Sequence, residues 1–465
     1  MKAQPASPQD SESVSRPPSP LVLLEGLKNH FLDSQTLLRS GGRINEVTAT
    51  RYKVRGLSAL ARMGDIVEHR GRKGVGKGEI VQIGAEEVLV APIVGQVDAG
   101  IGDAVFNLGQ HLIHPDPSWR GRAIDALARP IDGRGPLMEG AAGPPSAAPS
   151  ALSRKRVGTP FMTGVRVIDI FTPICFGQRM GIFAGSGVGK STLLAMLANA
   201  AAFDTVVVGL VGERGREVRE FLEDTIGKES LAKTVAVVAT SDESAMMRRR
   251  APDTAMRVAE HFCAAGQNVL LVLDSITRFA HALREVATST GEPPVARGYP
   301  ASVFTDLPKL LERAGPGVEG AGSITAIISV LVDGDDHNDP VADSVRGILD
   351  GHIVLDRGIA EQGRFPAVNP LSSISRLATK AWSDDQRALV ATLRGMISRF
   401  EDTRDIRLLG AYQGGADPEL DNAVQQVPLI YEALLQSPRD RASREPFADL
   451  ARHLKAKEAG RVAKA

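Results

Sequence analysis

Aromatic residues are scarce in this chain of 465: 14 Phe, 4 Tyr and 2 Trp, or 4% of the whole. Its cores must therefore be packed from small aliphatics, which the 43% apolar content supplies. Cysteine is nearly absent. Cys175 and Cys263 make neither a disulfide framework nor a metal-ligand spacing, and they fit a reducing cytoplasm. Net charge is also missing: 55 Lys and Arg balance 55 Asp and Glu, which argues against a basic coat for nucleic acid. No run reaches the roughly 18 apolar residues of a membrane-spanning helix. Nor does the opening MKAQPASPQDSESVSRPPSP read as a secretory leader, being polar and rich in Pro and Ser; it predicts a disordered head over 1–20. What remains is a soluble, cytoplasmic chain of about two to four domains.

Residues 21–40 follow with Leu24, Leu27, Phe31 and Leu38 near helical spacing. This short amphipathic helix has two open readings, packing on its own chain or docking a partner. Over 41–115 the runs YKVRGL, IVEHRG, GEIVQIG, EEVLVAPI and DAVFNL alternate apolar and polar residues between Gly and Asp, which predicts a small antiparallel β-barrel. Its aromatics are Tyr52 and Phe106, too few for the stacking platforms of a single-strand binder. A connector with tight turns and a low-complexity linker occupies 116–156, where a domain boundary is expected. Over 157–381 the runs RMGIFAG, TVVVGLVG, TVAVVATS, NVLLVLD, SITAIISVLV and HIVLD alternate with helical segments, an α/β pattern with a buried, mostly parallel sheet. Residues 382–465 read as a helical domain whose tail carries excess Lys and Arg, either a solvated face or a contact for acidic lipid.

The strongest chemical signal is Ala184-Gly185-Ser186-Gly187-Val188-Gly189-Lys190-Ser191, followed by Thr192, between a strand and a helix. In that context glycines let backbone N–H groups curl around phosphates, Lys190 reaches the β- and γ-phosphates, and the Ser191 hydroxyl holds Mg²⁺. The run NVLLVLD ends in Asp274, a carboxylate suited to organising Mg²⁺ water. VVVGLVG ends in Glu213 at the carboxyl edge of the sheet, where it can polarise a water or simply pair with Arg214 or Arg216. On physical grounds alone Phe365 reads as core and Arg376 as a surface charge. Pro252 reads as a residue at a helix start.

AGSGVGKST, VGERGREVREFLED, LLVLDSITRFA, GEPPVARGYPASVFTDLPKLLERAG, DGDDHNDPVADSVRGILDGHIVLDR, FPAVNPLSSISR and GAYQGGADPELD together resemble the ATPases of type III protein export, the flagellar ones above all. Those are similar to injectisome export ATPases and to the catalytic subunits of rotary ATP synthases. The resemblance spans about 40–440 and implies a RecA-like P-loop ATPase core between an N-terminal small β-barrel and a C-terminal helical domain. It implies Mg-ATP hydrolysis with Glu213 activating water and Arg214 anchoring phosphate or Glu213. Glu217 and Asp274 would support the metal, and Arg278 would stand near the γ-phosphate. Phe365 and Tyr412 would close on adenine from two sides, and Arg376 would reach the neighbouring subunit's site. The implied partners are other copies in a homohexamer, a stator protein at the N-terminus, a coiled-coil stalk against the loop 291–300, and export-gate membrane proteins with their substrates and chaperones. The implied place is the cytoplasmic face of the inner membrane. A virulence-type secretion ATPase is the nearest alternative. A hexameric RNA translocase, which shares core and barrel, is disfavoured by the missing barrel aromatics and the neutral charge.

Overall fold

A computed structural model describes residues 40–71, 74–95, 98–141, 149–150, 152–332 and 339–462. The head 1–20, the helix expected over 21–40 (Ser40 apart), much of the 139–153 linker and the acidic 333–338 lie outside the described residues.

Six antiparallel strands close the N-terminal barrel: β1 (Gly41–Val47), β2 (Tyr52–Arg55), β3 (Asp65–Gly71), β4 (Gly74–Ile83), β5 (Glu87–Pro92) and β6 (Ala104–Gln110). The period of two sends Ile44, Val54, Val67, Ile80, Val88, Val90 and Val105 inward, where they bury one small aliphatic core. Both barrel aromatics are engaged. Tyr52 is buried, with its hydroxyl 3.1 Å from His69 Nδ1, and the Arg70 guanidinium covers the Phe106 ring.

The connector does more than link. β7 (Ala123–Asp125) adds as a parallel edge strand to the main sheet, pairing with Val237 and its neighbours. A half-buried bidentate pair, Arg122 to Asp132 at 2.6 and 3.0 Å, holds the turn that follows, and hydrogen bonds from Arg122 with backbone N–H groups of Arg134 and Ala123 keep the Asp132 carboxyl far below the usual range.

The central sheet also contains β8 (Arg179–Ala184), β9 (Thr205–Glu213), β10 (Thr234–Thr240), β11 (Asn268–Asp274), β12 (Ser323–Leu331), β13 (Gly351–Leu355) and β14 (Ile374–Ser375). The order is β14-β13-β8-β12-β11-β9-β10-β7, with the two-residue strand Gly315–Pro316 completing nine. β7 to β13 run parallel; β14 and the short ninth strand are antiparallel. β9 is buried along its whole length, as its unbroken VVVGLVG run requires of a strand with helices on both faces. One face packs on α4 (Ala245–Ala264) and α5 (Ile276–Ser289). The other packs on α2 (Lys190–Ala198) and on the C-terminal helices α9 (Asp384–Asp402), α10 (Pro418–Leu434) and α11 (Pro446–Val462). Leu193 and Leu194 of α2 belong to the same core as Val390, Leu393, Val427 and Ile430. The helical domain is tied to α1 (Arg166–Phe171): Arg166 donates to Ala433 O at 2.6 Å, Arg394 to Phe171 O at 2.9 Å and the Trp382 indole to Ile170 O at 3.1 Å.

Pro252 is not at a helix start. It is the eighth residue of α4, on the buried side. The helix begins earlier, at Ser244, whose hydroxyl accepts the Met247 N–H at 3.2 Å. The arginine run before Pro252 grips the barrel: Arg249 and Arg250 fork onto the buried Glu79 of β4 at 3.1 and 2.7 Å.

His111, just past β6, sits at this junction. Burial first, and then the charges of Arg250, Arg257 and Lys77, push its pKa down to about 4, with Asp125 opposing. The folded pKa lies below the unfolded one, so its contribution is fully present above pH ~6.5 and is lost as pH falls toward 4. A shift of that size corresponds to about 3 kcal/mol. His111→Gln should therefore lose less thermal stability than the wild type between pH 7.5 and 4.5. Equal losses would show that His111 does not titrate at this junction.

Candidate nucleotide site

Parallel strands bring their carboxyl ends to one edge, and three of those ends carry the chemistry. β8 runs into the loop Gly185–Gly189, β11 ends at Asp274 and β9 ends at Glu213. β8 and β11 are separated only by β12, a span of about 10 Å that a lysine stem can bridge. Gly187 and Gly189 take φ of +78° and +92°, and Gly189 is the N-cap of α2. Nothing lies within 4 Å of where a Gly187 Cβ would stand, so the loop arches over open space at a helix N-terminus. Val188 is buried and pins the loop, whereas Ser186, Ser191 and Thr192 are exposed.

The Lys190 ammonium contacts Asp274 Oδ1 and lies 3.5 Å from Glu213 Oε1. Asp274 is buried and also accepts the Ser329 hydroxyl at 2.8 Å from β12. Glu213 is buried, with Oε2 3.3 Å from Arg278 Nη1 of α5, while Oε1 has no hydrogen-bond donor. Burial above all, and then the Asp274 charge, raise the Glu213 pKa against the opposing pull of Lys190 and Arg278. Ser191, Thr192, Glu213, Glu217 and Asp274 line one cavity of about 220 Å³.

Glu213 is therefore not a surface glutamate. Its arginine partner is Arg278, which also donates to the Gly212 carbonyl. Arg214, expected beside Glu213 or a phosphate, points to solvent and pairs with Glu217 at 3.2 Å, because α3 (Gly215–Glu220) begins there and brings residue 217 round one turn later.

Phe365 overturns the core reading. It is 44% exposed, and its ring stands 3.5 Å from the position of a Cβ on Gly189. The pocket beside it is lined by Val167, Ile359, Pro366, Tyr431 and Leu434. Tyr431, which the sequence reading missed, is the C-terminal aromatic at this pocket: the Arg364 guanidinium lies 3.4 Å from its ring centroid and its hydroxyl donates to Glu401. The Tyr412 hydroxyl instead donates to Asp421 of α10.

Arg376 is exposed and follows β14, and its N–H donates to Asp350 O at 2.9 Å, level with Arg179 at the start of β8. The phosphate loop is at the other end of β8, about 17 Å away along the strand. Arg376 thus does not serve the site of its own chain.

Two family models match. One is the ATP synthase alpha/beta family, nucleotide-binding domain, over residues 164–375; the other is the T3SS EscN ATPase C-terminal domain over 382–455. A flagellum-specific ATP synthase of Agrobacterium fabrum is 59% identical over 94% of this chain and 92% of its own length. A type 3 secretion system ATPase of Xanthomonas euvesicatoria is 40% identical over 90% of this chain and 95% of its own. The assembled ATPase EscN of the enteropathogenic E. coli type III secretion system superposes with a TM-score of 0.82 at 39% identity, covering 89% of this chain and 100% of that one. The same ATPase in complex with its central stalk EscO gives 0.81 at 38%, with the same coverage. With its phosphate loop, its buried Glu213 and a helical domain sharing the core of the sheet, the chain is an ATPase with a RecA-like core, and it belongs to the family of flagellum-specific ATP synthases.

Proposed function

We propose that the chain is the Mg-ATP-driven motor subunit of a flagellar type III export apparatus, working as a homohexameric ring at the cytoplasmic face of the inner membrane. The observation that carries the reading is Glu213, buried at the mouth of the phosphate loop with one oxygen undonated, in a chain most like a flagellar ATPase. The residues fit the metal. A hydroxyl and two carboxylates, from Ser191, Asp274 and Glu217, give hard oxygen donors on one cavity. Among the described residues no cluster of three His, Cys, Asp or Glu forms a cage of its own, which suits an ion shared with phosphate oxygens. Mg²⁺ would supply charge neutralisation of the β- and γ-phosphates there.

The side chains do the rest. The backbone N–H groups of Gly187–Ser191 cradle the phosphates and Lys190 transfers its charge from Asp274 to them. Glu213, held by Arg278, orients a water in line with the γ-phosphorus through Oε1, the oxygen that faces Lys190 and accepts no hydrogen bond. The Phe365 face stacks on the base, with Tyr431 closing the pocket from the C-terminal domain and Tyr412 on the loop ahead of α10. The neighbouring copy supplies Arg376 to the charge that develops in the transition state. The assembled relative and its complex with a central stalk support an oligomer with a stalk partner; we infer that the oligomer is a ring and the stalk a coiled coil against the loop 291–300. A stator protein at residues 1–40, the export-gate membrane proteins, and substrates with their chaperones complete the partners we infer; nucleic acid is not among them. Among the described residues no helix is long and apolar enough to cross a membrane, so attachment to the gate would be peripheral. A virulence-type machine is the second reading, and the 59% against 40% identities favour the flagellar one.

Lys190→Ala tests this. Losing a charge-assisted contact should weaken nucleotide binding about 10- to 100-fold. In a flagellated host lacking its own copy, the wild-type chain should restore flagellin export and Lys190→Ala should not. Restored secretion of virulence effectors but not of flagellin would favour the second reading.

A further inference from the structure

Arg376 faces solvent, but the backbone that carries it is anchored. β14 is two residues long and lies across the start of β13, with Ser375 opposite Gly351. A Cβ on Gly351 would fall 2.4 Å from the Ile374 carbonyl oxygen, so the strands meet more closely than any side chain permits. Behind this contact lies Gln178, with no exposed surface. Its Oε1 accepts the Cys175 N–H at 2.9 Å. Its Nε2 donates to Ser375 Oγ at 3.0 Å and to Asp350 O at 3.3 Å, and lies 3.2 Å from Met180 Sδ. The Ser375 hydroxyl in turn donates to Pro173 O at 2.8 Å.

Gln178 therefore grips the two residues that define where Arg376 leaves the sheet. Ser375 is its chain neighbour, and Asp350 O is the acceptor of its N–H. The task needs one acceptor and two donors at fixed angles, which a side-chain amide supplies and an apolar residue of the same volume does not. Gln178 also immediately precedes β8, the strand that ends in the phosphate loop, so one rigid strand separates the site a subunit owns from the arginine it lends.

We propose that Gln178 is a positioning residue for Arg376: its buried amide fixes the Ser375–Arg376 backbone so that the guanidinium meets the neighbouring subunit's site in register. This rests on the reading of Arg376 as a group supplied across the ring.

Two variants test it, Gln178→Ala and the milder Ser375→Ala, which removes the oxygen that Gln178 grips and serves if the first does not fold. Each should lower kcat about 10²-fold, the cost of an ångström-scale misplacement, with KM for ATP and ring assembly unchanged. The deciding readout is co-assembly with Glu213→Gln. A Gln178→Ala subunit keeps its own Glu213, and a Glu213→Gln subunit keeps a well-placed Arg376, so mixed rings should regain activity. Arg376→Ala co-assembled with Glu213→Gln is the control. Recovery in both mixtures supports the proposal. Recovery only in the control overturns it and leaves the trans arginine standing, since Gln178 then supports its own subunit's site. Recovery in neither overturns both. Wild-type kcat in the foldable variant also overturns it.

Discussion

Glu213→Gln should bind nucleotide as the wild type does and hydrolyse it about 10²- to 10⁴-fold more slowly. The amide has nearly the carboxylate's shape and keeps contact with Arg278, but it cannot take up proton density from the attacking water. The stability of the variant separates this from an ion-pair role. Burial raises the Glu213 pKa, so its folded value lies above the unfolded one. Such a group adds stability below its unfolded pKa and loses it as pH rises through the folded value. At neutral pH the ionised carboxylate is a net cost, and Gln should leave stability unchanged or higher. The same shift sets the acid limb of the rate: wild-type activity should fall as pH drops through the raised pKa, and the residual activity of Glu213→Gln should lack that limb. A variant that hydrolyses at nearly the wild-type rate but melts earlier would make Glu213 a structural partner of Lys190 and Arg278.

Arg376→Ala has the other large effect. An arginine supplied across an interface contributes about 10³–10⁵ in rate. Because Arg376 sits at the far end of the sheet from its own phosphate loop, an isolated subunit lacks this contribution whatever its own site contains. Specific ATPase activity of the wild type should climb with protein concentration as rings form. Arg376→Ala should keep nucleotide binding and assembly and lose the climb. Activity independent of concentration in a monomer would return Arg376 to a plain surface charge.

The elements with apolar runs were legible because their shortness and their regular alternation with helical segments fit strands buried on both faces; VVVGLVG and NVLLVLD are in β9 and β11, each ending in its functional carboxylate. The phosphate loop was legible because its glycines are needed for backbone shape rather than packing. Short elements were not. β7 is three residues, Ala-Ile-Asp, too short to carry a pattern, and only its partner Val237, far along the chain, makes it a strand. Pro252 misled because a proline signals a helix start locally, while Ser244, eight residues earlier, had already capped the helix. The arginine beside Glu213 in the chain is not the one beside it in space. The strand ends at Glu213, so Arg214 turns outward, and α5 crosses beneath to present Arg278. Tyr431 was hidden in an amphipathic helix pattern, where an aromatic one turn after Val427 reads as core. Gln178 carried no signal at all, because its meaning lies in Ser375 and Asp350, which only the sheet brings to it.

The central claim is that each active site is built from two copies of the chain, Glu213 from one and Arg376 from the next. Co-assembling Glu213→Gln with Arg376→Ala, each inactive alone, tests it most directly. Mixed rings contain interfaces where an intact Glu213 faces an intact Arg376, and ATP hydrolysis should reappear, at most at about a quarter of the wild-type rate for random mixing of equal amounts. No recovery in rings shown to contain both variants would contradict the account.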